Sequence, residues 1–381
     1  MIDFGLSTEA FRSEWFEKKL RLQKGAAPDA RIQWRDLDEL LERIEPRDAL
    51  LKLVGRGPIP VDAYSEETLE MGLRRRRLNK IRFYSYIRSG AALVIDRAEI
   101  HSALARRLCD VVGRFACMRT SSNAYLSCGG DGAFGKHWDT HDVFAVQLMG
   151  RKRWQVFAPT FPLPLSHQVS APADSEADTE LILDVLLEPG DLLYIPRGWP
   201  HRTRPLPEGS FHVSVGLYGA TVHDFFLWAC AQCLPQQAAA RRSFDAGAVD
   251  SGDMLGLLER LRTFVLDQRR QSEFESEMIG RRQARSEFDF AQFVDPACRP
   301  PDENRRVRLT TCKTPQVMRG EMTVNGARVT LDPTSETIVA ALRKGPLRLH
   351  QLQAAAGDVT IQTIQRAVLN LAGHEILTIE K

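Results

Sequence analysis

The chain has 381 residues, 43% of them apolar and 26% charged, with 51 Lys and Arg against 49 Asp and Glu. That balance excludes a wholly disordered chain and a histone-like polycation, and the length allows two or three domains. The longest apolar run, Phe225 to Ala231, falls well short of the roughly 20 residues that cross a bilayer, so no membrane span is expected.

The opening residues, MIDFGLSTEAFRSEW, carry an acid at Asp3 and neither a basic leader nor an apolar segment of signal length, so a cytoplasmic protein is expected. Seven scattered cysteines do not resemble a disulfide framework. Cys230 and Cys233 lack the second pair that a structural zinc site requires, and they read as small apolar residues on a buried helix.

In chain order, Phe11 to Leu22 (FRSEWFEKKLRL) predicts an amphipathic helix running into an extended segment, and residues 34–53 and 97–119 read as helices. Arg74 to Arg77, between them, read as a solvated helix face rather than a nucleic-acid contact, because interleaved aromatics are missing. From Ser122 to Leu217 the pattern changes. Short apolar stretches at Val143–Met149, Arg153–Phe157, Val185–Leu187, Asp191–Ile195 and Phe211–Leu217 are separated by Gly, Pro and Asp, which predicts an antiparallel sandwich or barrel. Phe161 to Asp178 reads as an insertion loop.

After Ala220 the pattern is helical, at His223–Cys233 and Asp253–Arg270, the latter with Leu255, Leu258, Leu261, Phe264 and Val265 on one face. Arg281 to Gly320 reads as a connector, and Glu336 to Lys381 as three helices and a terminal strand, the outline of a winged helix. Its second long helix shows Gln362, Gln365, Arg366 and Asn370, of which one is cationic. Direct nucleic-acid binding is therefore not expected, and a protein-interaction or packing role is.

Chemistry concentrates at two motifs. His137-Trp138-Asp139 opens a strand-like run, whose alternation places 137 and 139 on one face, while Gly190 to His201 (GDLLYIPRGWPH) ends a strand in a turn that aims His201 back into the barrel. Two imidazoles and one carboxylate leave three adjacent positions of an octahedron open, as an iron(II) oxygenase needs to hold a bidentate oxo-acid together with dioxygen. His141 continues the alternation; it could replace a ligand or support one, and is expected outside the ligand set.

Gly190, Pro196, Gly198 and His201 fit the second cupin motif, and HWD with GDLLYIPRGWPH resembles the Jumonji C branch of the cupins. HWDTHDVFAVQLMGRKRWQVF is similar to the bacterial ribosomal-oxygenase (ribosomal protein hydroxylase) group. The resemblance implies a mainly β core, a double-stranded β-helix or jelly-roll barrel, over residues 1–220 with N-terminal helices. It further implies a helical dimerisation segment over 221–300 and a winged-helix-like domain over 301–381.

His137, Asp139 and His201 would then hold Fe(II), and Lys152 would bind the distal carboxylate of the cosubstrate 2-oxoglutarate. Asn123, with Tyr125 on its face, would line the cosubstrate pocket. His212 and Ser214 would contact the inner end of the cosubstrate, where the family varies, with an asparagine or a later hydroxyl where this chain has His212 and Gly216.

The implied activity is a 2-oxoglutarate-dependent dioxygenase that hydroxylates a C–H bond of an amino-acid residue in a protein, such as a ribosomal protein. A homodimer through the 223–270 helices is implied as well. Two alternatives stay open on the residues: an oxygenase acting on a peptide or small natural product, and a non-enzymatic cupin regulator working through the winged helix.

Overall fold

A computed structural model describes residues 2–46, 50–130, 134–170, 179–246, 250–281, 286–295, 297, 299–318 and 320–380. The chain divides into two compact units, Met1–Gly219 and Ala220–Lys381.

The first unit is built on antiparallel strands. A helical turn, Thr8–Ala10 (α1), runs into a π-helical Phe11–Trp15 and then β1 (Arg21–Gln23), followed by α2 (Trp34–Glu42), β2 (Leu51–Val54) and β3 (Pro58–Ile59). Next come β4 (Ser65–Glu70), β5 (Leu73–Leu78), α3 (Lys80–Arg88), β6 (Ala92–Ile95), α4 (Ala103–Ala116) and β7 (Arg119–Cys128). Then β8 (Asp142–Met149), β9 (Lys152–Phe157), β10 (Leu181–Leu187), β11 (Leu192–Ile195), β12 (His201–Pro205) and β13 (Gly209–Tyr218) complete it. One sheet of eight strands has the order β1-β11-β8-β13-β7-β6-β2-β3, and a second of three has the order β10-β9-β12.

Period-2 alternation decides which residues meet between these sheets. Phe211, Val213, Val215 and Leu217 of β13, with Phe144, Val146 and Leu148 of β8, face a core closed by the N-terminal segment and α4. The residues between them face the other way. Ala145 and Leu193 meet Trp154 and Val156 of the smaller sheet in a separate cluster, and His212, Ser214 and Gly216 share that inner direction.

Within Phe11–Leu22 the expected helix shrinks to the short turn and π-helix, because Phe11 is drawn into an aromatic cluster with Phe115, Phe144 and Tyr194, whereas the expected extended end is β1, whose Arg21–Gln23 pair with β11. Residues 51–53 are strand, not the end of a helix, since Leu51 and Leu53 pair with Ile95 and Leu93 at the sheet edge. Arg74–Arg77 are also strand. They form a hairpin with β4 in which Arg77 pairs with Glu66, and Arg76 with Glu67 and Asp62, so opposite charges across the strands hold together what helical periodicity alone does not reveal. The insertion loop is described over 161–170 without helix or strand, and its remainder lies outside the described residues.

In the second unit, α5 (Val222–Cys233), α6 (Ser251–Leu266) and α7 (Gln268–Gly280) pack through Phe225, Trp228, Phe264 and Phe274. The Trp228 indole N–H donates to Glu277 Oε2 at 2.8 Å. The helix expected over 253–270 breaks at Asp267, whose carboxylate accepts from the Arg269 N–H and caps α7. On α6, Leu255 and Leu258 are exposed whereas Leu261, Phe264 and Val265 are partly buried. Cys230 and Cys233 are partly rather than fully buried.

The expected connector is not a plain link. After α8 (Phe290–Val294) it contains β14 (Arg306–Leu309), the centre of a sheet ordered β17-β14-β18, with β17 (Leu347–Arg348) and β18 (Leu377–Ile379) on its flanks. Two further strands, β15 (Glu321–Val324) and β16 (Ala327–Thr330), form a hairpin. Helices α9 (Pro333–Leu342), α10 (Leu349–Ala356) and α11 (Ile361–Gly373) bury Ile338, Val339, Leu352, Ile364 and Val368 against Val307 and Leu377. Among the described residues, no helix is long and apolar enough to cross a membrane.

Candidate metal centre and cosubstrate pocket

The three ligand residues are gathered by backbone geometry. His137 lies outside the regular strands but forms an antiparallel bridge to His201: its N–H donates to the His201 carbonyl at 3.1 Å, and its carbonyl accepts the return bond at 2.7 Å. The Gly198 N–H donates to the Asp139 carbonyl at 3.0 Å. Thus the strand expected over 137–139 is a loop docked on the β11–β12 turn, and the strand itself starts at Asp142. Gly198 has φ +81°, and a Cβ there would lie 2.1 Å from the Phe161 carbonyl oxygen, so the turn requires glycine.

Ligand atoms of His137, Asp139 and His201 all lie within 4.8 Å of one another, with His201 Nε2 3.7 Å from Asp139 Oδ2. Each imidazole places Nδ1 at a carbonyl: His137 at Gly135 O, 2.9 Å, and His201 at Trp199 O, 3.1 Å. A carbonyl can only accept, so both Nδ1 atoms carry the hydrogen and both Nε2 lone pairs are free for a metal. Burial pushes His201 down to about 4, reinforced by the neighbouring His137 and opposed by Asp139. Burial works to raise Asp139, but attraction from His201, His141 and His137 outweighs it and holds the carboxyl below its ordinary value. A neutral His201 imidazole and an ionised Asp139 carboxylate are the forms a divalent metal needs.

His141 stands apart from this set. Its ring stacks on Tyr218 at 4.9 Å, and Gly216 leaves the space, since a Cβ there would sit 2.5 Å from His141 Cδ2.

Lys152 points inward from β9 with 3% of its surface exposed, while Arg151 and Arg153 point out to Glu208 and Asp184. Its ammonium donates to Ser127 Oγ at 3.1 Å and lies 3.4 Å from His212 Nδ1. Among the described residues it has no ion pair, and burial brings its amine down to about 7. Burial, then the Lys152 charge, likewise depresses His212. The His212 ring stacks on Tyr125 at 4.8 Å and meets the edge of Trp154 at 5.2 Å.

Register places Ser214 opposite Asn123 and His212 opposite Tyr125. Asn123 Oδ1 accepts from the Arg97 N–H at 3.3 Å. Burial raises the Tyr125 hydroxyl, and a hydrogen bond with Asn123 opposes the shift. Three participants are not singled out by the sequence motifs. Ser127 shares the inward face of Asn123 and Tyr125, Trp154 shares that of Lys152, and Tyr218 backs His141; the first two follow from alternation alone, the third needs the fold. Trp154 Nε1 is buried and has no protein partner among the described residues.

The JmjC domain family matches residues 97–225, which contain every residue of this site. Over 106 residues the chain is 39% identical to a bifunctional lysine-specific demethylase and histidyl-hydroxylase NO66 of Aedes aegypti, covering 27% of this chain and 16% of that protein. Over 137 residues it is 32% identical to ribosomal oxygenase 1 of Danio rerio, covering 35% of this chain and 25% of that one. These alignments span a sixth to a quarter of the relatives' lengths. The solved structure of YcfD, a ribosomal oxygenase from Escherichia coli, superposes over 100% of this chain and 99% of its own with a TM-score of 0.59 and 18% identity, a likeness of fold.

Proposed function

We propose that this protein, which carries a JmjC domain and resembles the ribosomal oxygenases, is an iron(II)- and 2-oxoglutarate-dependent oxygenase that hydroxylates a C–H bond of an amino-acid residue in a protein, a ribosomal protein being the first candidate. One observation carries the reading: His137, Asp139 and His201 converge with Nδ1 of both imidazoles held at carbonyls, and a buried cation, Lys152, stands on the same inner face without a carboxylate partner among the described residues. The donor set fits Fe(II), and a buried ammonium fits a cosubstrate that brings its own carboxylate.

When bound, iron supplies oxygen activation coupled to the conversion of 2-oxoglutarate to succinate and carbon dioxide, with one oxygen atom passing into the substrate C–H and one into succinate. The protein does the rest. His137, Asp139 and His201 would hold the metal on one face, leaving adjacent positions open. Lys152 and Ser127 would orient the distal carboxylate, and Asn123, Tyr125, His212 and Ser214 would shape the pocket. The buried cluster of Trp154, Val156, Leu193 and Ile195 would keep water from its floor.

The finer architecture belongs to the same reading. The two sheets would close as a double-stranded β-helix, α9–α11 with β14, β17 and β18 would form a winged-helix-like domain over 301–381, and the 221–300 helices would form a homodimer. Exposed Phe226, Leu227, Met254, Leu255 and Leu258 support the dimer, because water is a costly neighbour for that face.

The test incubates the protein with Fe(II), 2-oxoglutarate and a ribosomal-protein fraction. Succinate in equal amount to one oxygen atom gained on a single ribosomal protein is expected. Succinate without any such gain would overturn the substrate, and no succinate with or without the fraction would overturn the activity. A monomer in sedimentation at micromolar concentration would remove the dimer.

A further inference from the structure

A cavity of about 260 Å³ lies on the opposite face of the large sheet from the metal ligands and shares none of them. Its floor is apolar: Leu148, Phe211 and Val213 from the sheet, Leu37 and Leu40 from α2, and Ala105 from α4. Small side chains open it, since Ala98, Ala105 and Ala124 stand on its wall where larger residues would fill it. An apolar pocket of about 150 Å³ suffices for benzene, so this one admits a ring with a short aliphatic tail.

Its rim is charged. Arg31 and Arg107 both line it, both are exposed, and neither has a carboxylate within ion-pair distance among the described residues. Asp36, also on the rim, is engaged in capping α2 through the Gln33 N–H at 2.7 Å. Asp29 stands on the same rim and disfavours a dianion.

We propose that this cavity is a second ligand site, independent of the metal centre, that takes a small monocarboxylate with an apolar body, the body on the alanine-lined floor and the carboxylate at Arg31 and Arg107. Guanidinium forks are suited to a carboxylate, and the apolar walls supply the remaining affinity.

Titration calorimetry of the full-length protein with 4-phenylbutyrate tests it. Saturable binding of one equivalent is expected, weakened at least about tenfold both in the Arg31→Ala/Arg107→Ala double variant and for the uncharged 4-phenylbutan-1-ol. Both arginines are exposed, so that variant keeps the fold. Lys152→Ala, which removes the buried cation beside the metal centre, should leave the affinity unchanged, and Ala105→Leu should reduce it by narrowing the floor. Absence of saturable binding at millimolar ligand, equal affinity in the double variant, equal affinity of the alcohol, or loss in Lys152→Ala would each overturn the assignment.

Discussion

His137 and His201 exchange both of their backbone hydrogen bonds, at 3.1 and 2.7 Å, and their rings lie 4.6 Å apart. The two imidazole ligands are therefore set by main-chain pairing, and the Asp139 side chain completes the set without holding it together. Asp139→Ala should keep the thermal midpoint close to the parent and lose Fe(II) binding by equilibrium dialysis, whereas His141→Ala should retain the metal. Metal loss in His141→Ala would move that residue into the ligand set.

Gly216 and His141 are coupled by contact. A methyl at 216 would meet the ring at 2.5 Å, so Gly216→Ala should push His141 off Tyr218 and destabilise by about 1–2 kcal/mol. In a His141→Ala background the same substitution should cost clearly less, the remaining close contact being Tyr218 Oη at 3.0 Å, a coupling that urea denaturation of the four proteins of the cycle reads directly. Additive costs would place the strain elsewhere.

Lys152 gives a pH dependence. Burial puts its amine at about 7 in the free site, so above pH 7 a carboxylate ligand must bring a proton with it. The Kd for 2-oxoglutarate should rise about tenfold per pH unit above 7 and be flat just below it. Lys152→Arg, which stays charged, should flatten the rise. A parent profile that is flat from pH 7 to 9 would contradict the assignment.

Asp142 gives a stability window. Burial raises its carboxyl from 3.8 to about 6, with the Tyr194 hydroxyl donating to Oδ1 at 2.6 Å. The folded pKa lies above the unfolded one, so the contribution to stability is full below about pH 4 and is lost as pH rises through 6. Asp142→Asn keeps the acceptor and removes the charge. It should match the parent at pH 4 and exceed it at pH 7 by on the order of 2 kcal/mol in urea denaturation.

How much of this structure is legible in the sequence depends on how local the determining physics is. Alternation turns Lys152 inward and Arg151 and Arg153 outward, because a strand fixes direction residue by residue. It also places His137 and Asp139 together, though the reason differs: the pair is a loop pinned to His201 and Gly198, a contact across more than fifty positions that periodicity cannot show. Arg74–Arg77 and Val307 elude a periodic reading for the same cause. The arginine run becomes strand because Glu66 and Glu67 stand opposite Arg77 and Arg76, and Val307 because Leu347 and Ile379 flank it. Tyr218 and Gly216 owe their part to the His141 ring, which only the folded protein brings to them.

The most direct measurement is anaerobic optical titration of the purified protein with Fe(II) and 2-oxoglutarate. A visible charge-transfer band that needs both additions, vanishes in Asp139→Ala and demands far more 2-oxoglutarate in Lys152→Ala is the predicted result. Fe(II) binding at His137, Asp139 and His201 with no such band at any 2-oxoglutarate concentration would contradict the account.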